Sequence, residues 1–224
     1  MNTQVIMVSL LLLLGNLDCA SAISQDQVQA KIASAKTALT QHSAKQDTAN
    51  MAQDYTDIGL GQQTLGELDK AIEAFQEALK LYKTLDNKAE MAKEYANLAL
   101  AYKYQGKLEN AINAHQEALK LNLFLGNKQS MAGDYLDLAK VYEARNELDK
   151  AIEIYKKALK LFEETDDKEG IADEYVELGE FYQKHGNKKE AKIYFQKSLK
   201  LYQQLGLGDD ENAQKAQSQL NTLN

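Results

Sequence analysis

With 224 residues, the chain has three histidines, one cysteine and 33 Asp or Glu side chains for chemistry. Clustered, such groups would ligate a metal, move protons or activate a nucleophile. His42, His115 and His185 are scattered instead, and no set of His and carboxylates has metal-ligand spacing. Asp209-Asp210 lacks the further spaced oxygens of a calcium loop. G-x-S-x-G, H-E-x-x-H, G-x-G-x-x-G and phosphate-cradling glycine loops are all missing from the sequence. These patterns imply no catalytic residue, no metal and no cofactor. One set does recur at fixed spacing: Asp57, Asn97, Asp137 and Glu177. A row of side-chain acceptors at regular intervals could bond the backbone amides of an extended peptide, which is recognition rather than catalysis.

The elements that would position this row repeat every 40 residues. Segments from Ala71, Ala111, Ala151 and Ala191 read AIEAFQEALKLY, AINAHQEALKLN, AIEIYKKALKLF and AKIYFQKSLKLY. A period in this range predicts a stacked array in which each unit buries its apolar face on its neighbours. Tyr95, Leu98, Ala99 and Tyr102 fall on one stripe of a helix, and Ala111, His115, Ala118 and Leu119 on another. His115 takes the slot held by Phe75, Tyr155 and Phe195 elsewhere, so it reads as a packed ring. His42 and His185 fall near helix ends and read as surface residues.

Gly66, Gly106, Asn146 and Gly186 tolerate the left-handed conformation and mark the turn inside each pair. Asp47, Asn87, Asn127 and Asp167 are the expected N-caps of the next pair. Ser24 with Gln27, and Asn87 with Glu90, have capping-box spacing. The spacing predicts a leading half-repeat helix over 24–46. Full repeats follow over 47–86, 87–126, 127–166 and 167–206, with a polar closing helix over 209–222 capped by Asp209 or Asp210. The fold expected is all-α, a solenoid of antiparallel helix pairs.

Composition agrees: 44% apolar, 26% charged, no proline, with Ala, Leu, Lys, Glu and Gln abundant. A net charge of −7 argues against nucleic acid, whose phosphates need a basic footprint. Residues 1–22 differ from the rest. The apolar run Val5 to Leu14, followed by Ala20-Ser21-Ala22, predicts a signal peptide cleaved near Ala22 and an exported chain, periplasmic or secreted. No Lys or Arg precedes the run, so a retained anchor stays an alternative. The run is too short to span a bilayer, and no membrane role beyond this segment is expected. Cys19 would leave with the signal.

The repeats resemble the tetratricopeptide repeat (TPR) family. That family's first helix carries a large aromatic, Leu three residues on, then Gly or Ala, then Tyr. Its second helix carries a small Ala, an aromatic and another Ala. Repeat two supplies Tyr95, Leu98, Ala99, Tyr102, Ala111, His115 and Ala118; repeat three supplies Tyr135, Leu138, Ala139, Tyr142, Ala151, Tyr155 and Ala158. Repeat four supplies Tyr175, Leu178, Gly179, Tyr182, Ala191, Phe195 and Ser198, and in repeat one Gln62 replaces the second aromatic. The period of 40 and the missing proline match the longer-helix subclass seen in kinesin light chains. The resemblance implies a right-handed superhelix whose first helices line the concave side.

On that basis the inward positions include Asp57 and Leu60 in repeat one, and Lys93, Asn97, Leu100 and Lys103 in repeat two. Repeat three offers Leu136, Asp137, Lys140, Glu143 and Ala144, and repeat four Val176, Glu177, Glu180 and Lys184. Leu60, Leu100, Leu136 and Val176 would make a loose apolar strip beside the acceptor row, a pattern of protein-binding grooves. The Lys/Asn set with which some relatives clamp a C-terminal carboxylate is missing. The expected partner is a protein or extended peptide, basic or apolar, held by a non-enzymatic adaptor. Self-association into a structural array and peptide sensing are the alternatives.

Overall fold

The computed structural model describes residues 24–223, all helix and short turns, with no strand among them. A leading helix, α1 (Gln25–Ala44), is followed by four pairs. These are α2 (Thr48–Thr64) with α3 (Leu68–Thr84), and α4 (Lys88–Tyr104) with α5 (Leu108–Leu125). Next come α6 (Lys128–Ala144) with α7 (Leu148–Glu164), and α8 (Lys168–Lys184) with α9 (Lys188–Leu205). A short helix, α10 (Glu211–Thr222), closes the stack.

Each first helix starts on an Asx side chain. Asp47, Asn87, Asn127 and Asp167 accept from the amides of Asn50, Glu90, Ser130 and Gly170 at 2.9–3.3 Å. These bonds satisfy donors that the helix leaves open. Ser24 and Gln27 form the full reciprocal box, and Asp210 caps α10. The second helices α3, α5 and α7 have no side-chain cap, so burial of their apolar face holds them. Every turn passes through one left-handed residue. Within pairs these are Gly66, Gly106, Asn146 and Gly186; between repeats they include Asp86, Gly126 and Asp166.

Ala71, Ala111, Ala151 and Ala191 are completely buried. Behind them a ring meets a small residue. A Cβ on Gly59 would lie 2.5 Å from Phe75, and one on Gly179 2.6 Å from Phe195. Repeats two and three place Ala99 and Ala139 there, opposite His115 and Tyr155. The core is a chain of local clusters spanning adjacent helices. Backbones of first helices approach their counterparts in three of four steps (α2 with α4, α4 with α6, α8 with α10), whereas those of no two second helices do. The stack therefore curves with first helices inside and second helices splayed outside.

Candidate binding groove on the first-helix face

The inner face carries the acceptor row, but part of the row is already engaged. Asp57 is exposed and accepts from Gln53 Nε2 at 2.9 Å. Asn97 is half-buried beside Glu94. Asp137 is half-buried near Lys103 and Lys140. Glu177 is bound by Lys140 Nζ at 2.8 Å across the repeat boundary. Glu180 is likewise paired, with Lys215 of α10 at 2.8 Å. Lys93 is exposed and bridges to Glu90 one turn away.

Of the apolar strip, Leu60 is exposed and Leu100 half-buried; Leu136 is half-buried and packs on the α5–α8 core. Val176 corrects the sequence reading. It is only 2% exposed, in one cluster with Phe195, Tyr202, Ala213 and Ala216. Helix α10 takes the place of a fifth first helix and covers it, so no partner reaches that side chain. The accessible strip ends at repeat three.

Lys140, Glu177 and Glu180 come together in one cleft of about 340 Å³ with Lys103, Glu143 and Lys184, floored by Tyr155 and Phe181. Asp57, Leu60, Lys93, Asn97 and Leu100 do not line it. Desolvation lowers the Lys103 pKa, although the Asp137 carboxylate opposes this, and no described carboxylate lies within ion-pair distance of its ammonium. Burial also disfavours charge on Lys140, but its contact with Glu177 outweighs that and the net shift is upward. Burial likewise raises Glu143, yet Lys184 at 2.7 Å and His185 at 3.2 Å hold it below the usual carboxylate range. His185 and His42, read as surface residues, are both half-buried partners of carboxylates; His42 Nδ1 lies 2.6 Å from Asp54. His115 is a packed ring, 1% exposed.

A second acidic row escaped the sequence reading. Asp54, Glu94, Asp134 and Glu174 each precede the leading tyrosine, and all four are buried. Asp54 faces His42, and Asp134 accepts from Asn122 at 2.7 Å. Glu94 accepts from Thr56 of the preceding repeat at 2.7 Å. Neither carboxylate oxygen of Glu174 has a hydrogen-bond partner. Burial lifts Glu94 to about 7 and Glu174 to about 9. At neutral pH Glu174 is therefore a neutral acid inside the stack. The signal was present in the sequence: Glu94 lies four residues before Leu98 and seven before the buried Ala101, on one helical stripe.

Solved structures share this architecture. BtubC (BKLC) from P. vanneervenii aligns with a TM-score of 0.69 at 21% identity, covering 88% of this chain and 89% of that one. A putative kinesin light chain with TPR-like repeats from Podosopora anserina aligns at 0.67 and 17% identity, covering 80% of this chain and 89% of that one. The Rap protein complexed with competence and sporulation factor aligns at 0.62 and 17% identity, covering 89% of this chain and 59% of that one. No curated protein shows a significant match. A family model described as the MalT-like TPR region matches residues 6–222, nearly the whole sequence. Helix pairs, ring-on-small-residue packing and curvature all agree with that match, and the chain belongs to the MalT-like TPR region family.

Proposed function

We propose that the protein is an exported, non-enzymatic adaptor that holds an extended segment of a protein partner on its first-helix face. The observation carrying this reading is the pair Lys103 and Asp137. Both are half-buried on the inner face, and neither makes a hydrogen bond or ion pair with a described residue. The Lys103 ammonium lies 5.9 Å from the Tyr104 ring, and half-buried charges with no hydrogen-bond or ion-pair partner gain when a ligand supplies one. Asn97, on the same face and hydrogen-bonded to Glu94, has further capacity to bond a peptide backbone, and Leu60, Leu100 and Leu136 offer apolar contact. The structural likeness to a Rap protein complexed with competence and sporulation factor supports a solenoid of this shape holding a ligand. Export rests on the apolar run and Ala20-Ser21-Ala22 of the sequence, which lie outside the described residues.

The test is a quantitative pull-down from the native compartment with wild type and with Asn97→Ala plus Leu100→Asp. The adaptor reading expects a partner recovered by wild type and lost from the variant. Equal recovery by both would remove the inner face from consideration. Intact mass of the native protein tests export, which predicts loss of residues 1–22; a full-length mass in the cytoplasmic fraction overturns it.

A further inference from the structure

Curvature opens gaps on the outer side. Each gap lies between two second helices and is floored by the first helix between them. The α3/α5 gap is floored by Tyr95, Leu98 and Tyr102 of α4, and the α7/α9 gap by Tyr175, Leu178 and Tyr182 of α8. The floors match residue for residue, but the fillings differ. In the α7/α9 gap the chain supplies Tyr194, stacked on Tyr182 at 5.5 Å and tilted against Tyr175 at 5.9 Å. Lys197 sits over both Tyr194 and Tyr175, at 4.9 and 5.4 Å. The gap between α5 and α7 is filled by Ile154, which is buried. The position equivalent to Tyr194 in the α3/α5 gap is Ala114. Its methyl leaves a cleft of about 750 Å³ over the two tyrosines.

The rest of that cleft is already arranged. Gln76 Nε2 donates to the Tyr102 hydroxyl at 3.3 Å. Lys83 lies over the Tyr95 ring at 5.5 Å, as Lys197 lies over Tyr175. We propose that this cleft docks an aromatic side chain of a protein partner, seated where Tyr194 sits in repeat four and flanked by an acidic residue. The ring is argued from the chain's own filling of the equivalent gap. The acid is argued from charge complementarity. Lys83 stands on the α3 wall without a carboxylate partner among the described residues and Lys80 beside it pairs with Glu77 at 3.4 Å, whereas Asn110 and Asn113 on the α5 wall are neutral and Glu117 is engaged by Lys120. Residues 1–23 contain no aromatic residue, so the chain's own N-terminal segment cannot supply the ring. The site lies on the face opposite the proposed groove and does not depend on it.

The experiment is an NMR titration of the isotope-labelled protein with the peptide Gly-Ser-Tyr-Asp-Ser-Gly, and with its Tyr-to-Ala analogue. The Ala114 methyl and the Tyr95 and Tyr102 rings should shift with the first peptide, and bind the analogue at least about tenfold more weakly. Ala114→Tyr, which fills the gap internally, should abolish these shifts. Lys83→Glu changes an exposed side chain, so it keeps the test open if Ala114→Tyr misfolds. It should weaken binding about fivefold, with a dependence on salt. The proposal is overturned by equal binding of both peptides, shifts confined to the first-helix face, N-acetyltyrosinamide binding as tightly as the peptide, or binding retained by Lys83→Glu and Ala114→Tyr. A dimer in sedimentation that Ala114→Tyr dissolves would assign the cleft to a second copy, and would also overturn it.

Discussion

Helices α4 and α8 hold equivalent places in repeats two and four, and each carries a buried glutamate, two tyrosines on the floor of the outer gap and a small residue facing a ring. In repeat two, Glu94 receives the Thr56 hydroxyl, Ala99 faces His115, and Ala114 leaves the outer gap open. In repeat four, Glu174 has no hydrogen-bond partner, Gly179 lies against Phe195, and Tyr194 closes the gap. Repeat four closes its outer gap but leaves its buried glutamate without a hydrogen bond. A shared backbone thus leaves each repeat free to divide its stability differently between packing and polar satisfaction.

Removing the core ring should separate the two repeats most. Phe195→Ala should cost about 3–5 kcal/mol, because the completely buried ring leaves a cavity under Gly179. His115→Ala should cost about 1–2 kcal/mol, since neither buried ring nitrogen has a hydrogen-bond partner, the Asp134 carboxylate lying 3.8 Å from Nδ1, and their loss relieves part of the penalty. Urea unfolding of the two variants checks the difference; equal costs would dissolve the contrast.

The glutamates come next. A carboxyl that ionises near 4.5 in the unfolded chain but keeps its proton to about 9 when folded makes the native state weaker as pH rises through that window. Glu174→Gln should therefore stabilise the protein by about 1–3 kcal/mol at pH 8, have little effect at pH 4, and flatten the pH dependence of Tm. Glu94→Gln should act over a narrower window, up to about pH 7, and gain less because Thr56 already donates to the carboxylate. Melting both variants across pH 4–9 decides this.

A smaller effect concerns the outer gap. Tyr194→Ala should cost about 1–2 kcal/mol and open in repeat four the cleft that repeat two already has. The smallest concerns the turns between repeats. Repeat two ends on Gly126 in the left-handed conformation, repeat three on Asp166 with φ of 51°. Asp166→Gly should gain up to about 1 kcal/mol by removing the Cβ penalty, whereas Gly126→Ala should lose a similar amount. Thermal melts of the two exchanges measure it.

How much of this was legible depended on whether a residue's role is local. The stripe through Tyr95, Leu98, Ala99 and Tyr102 gave the helices, and the Asx residues gave their starts, because period and capping act within a few residues. Burial of Val176 was not legible, since an apolar side chain at that position faces solvent or core according to what α10 covers. The pairing of Lys140 with Glu177 joins separate repeats, so spacing showed the two positions but not the bond. The row from Asp54 to Glu174 was visible, yet its residue types argued for a wet surface. Only the neighbouring first helix makes that stripe an interior one.

The joints between repeats also define a unit of exchange. Each boundary carries the same parts: a left-handed residue, then an Asx cap, then a first helix laid on the preceding pair. A block such as 87–126 begins and ends on matching chemistry, so its removal or duplication brings together surfaces that already fit their neighbours. The length of the first-helix face can then change by whole repeats, at the cost of boundary-specific bonds such as Thr56 to Glu94. Only α1 and α10, the two unlike ends, are fixed in place.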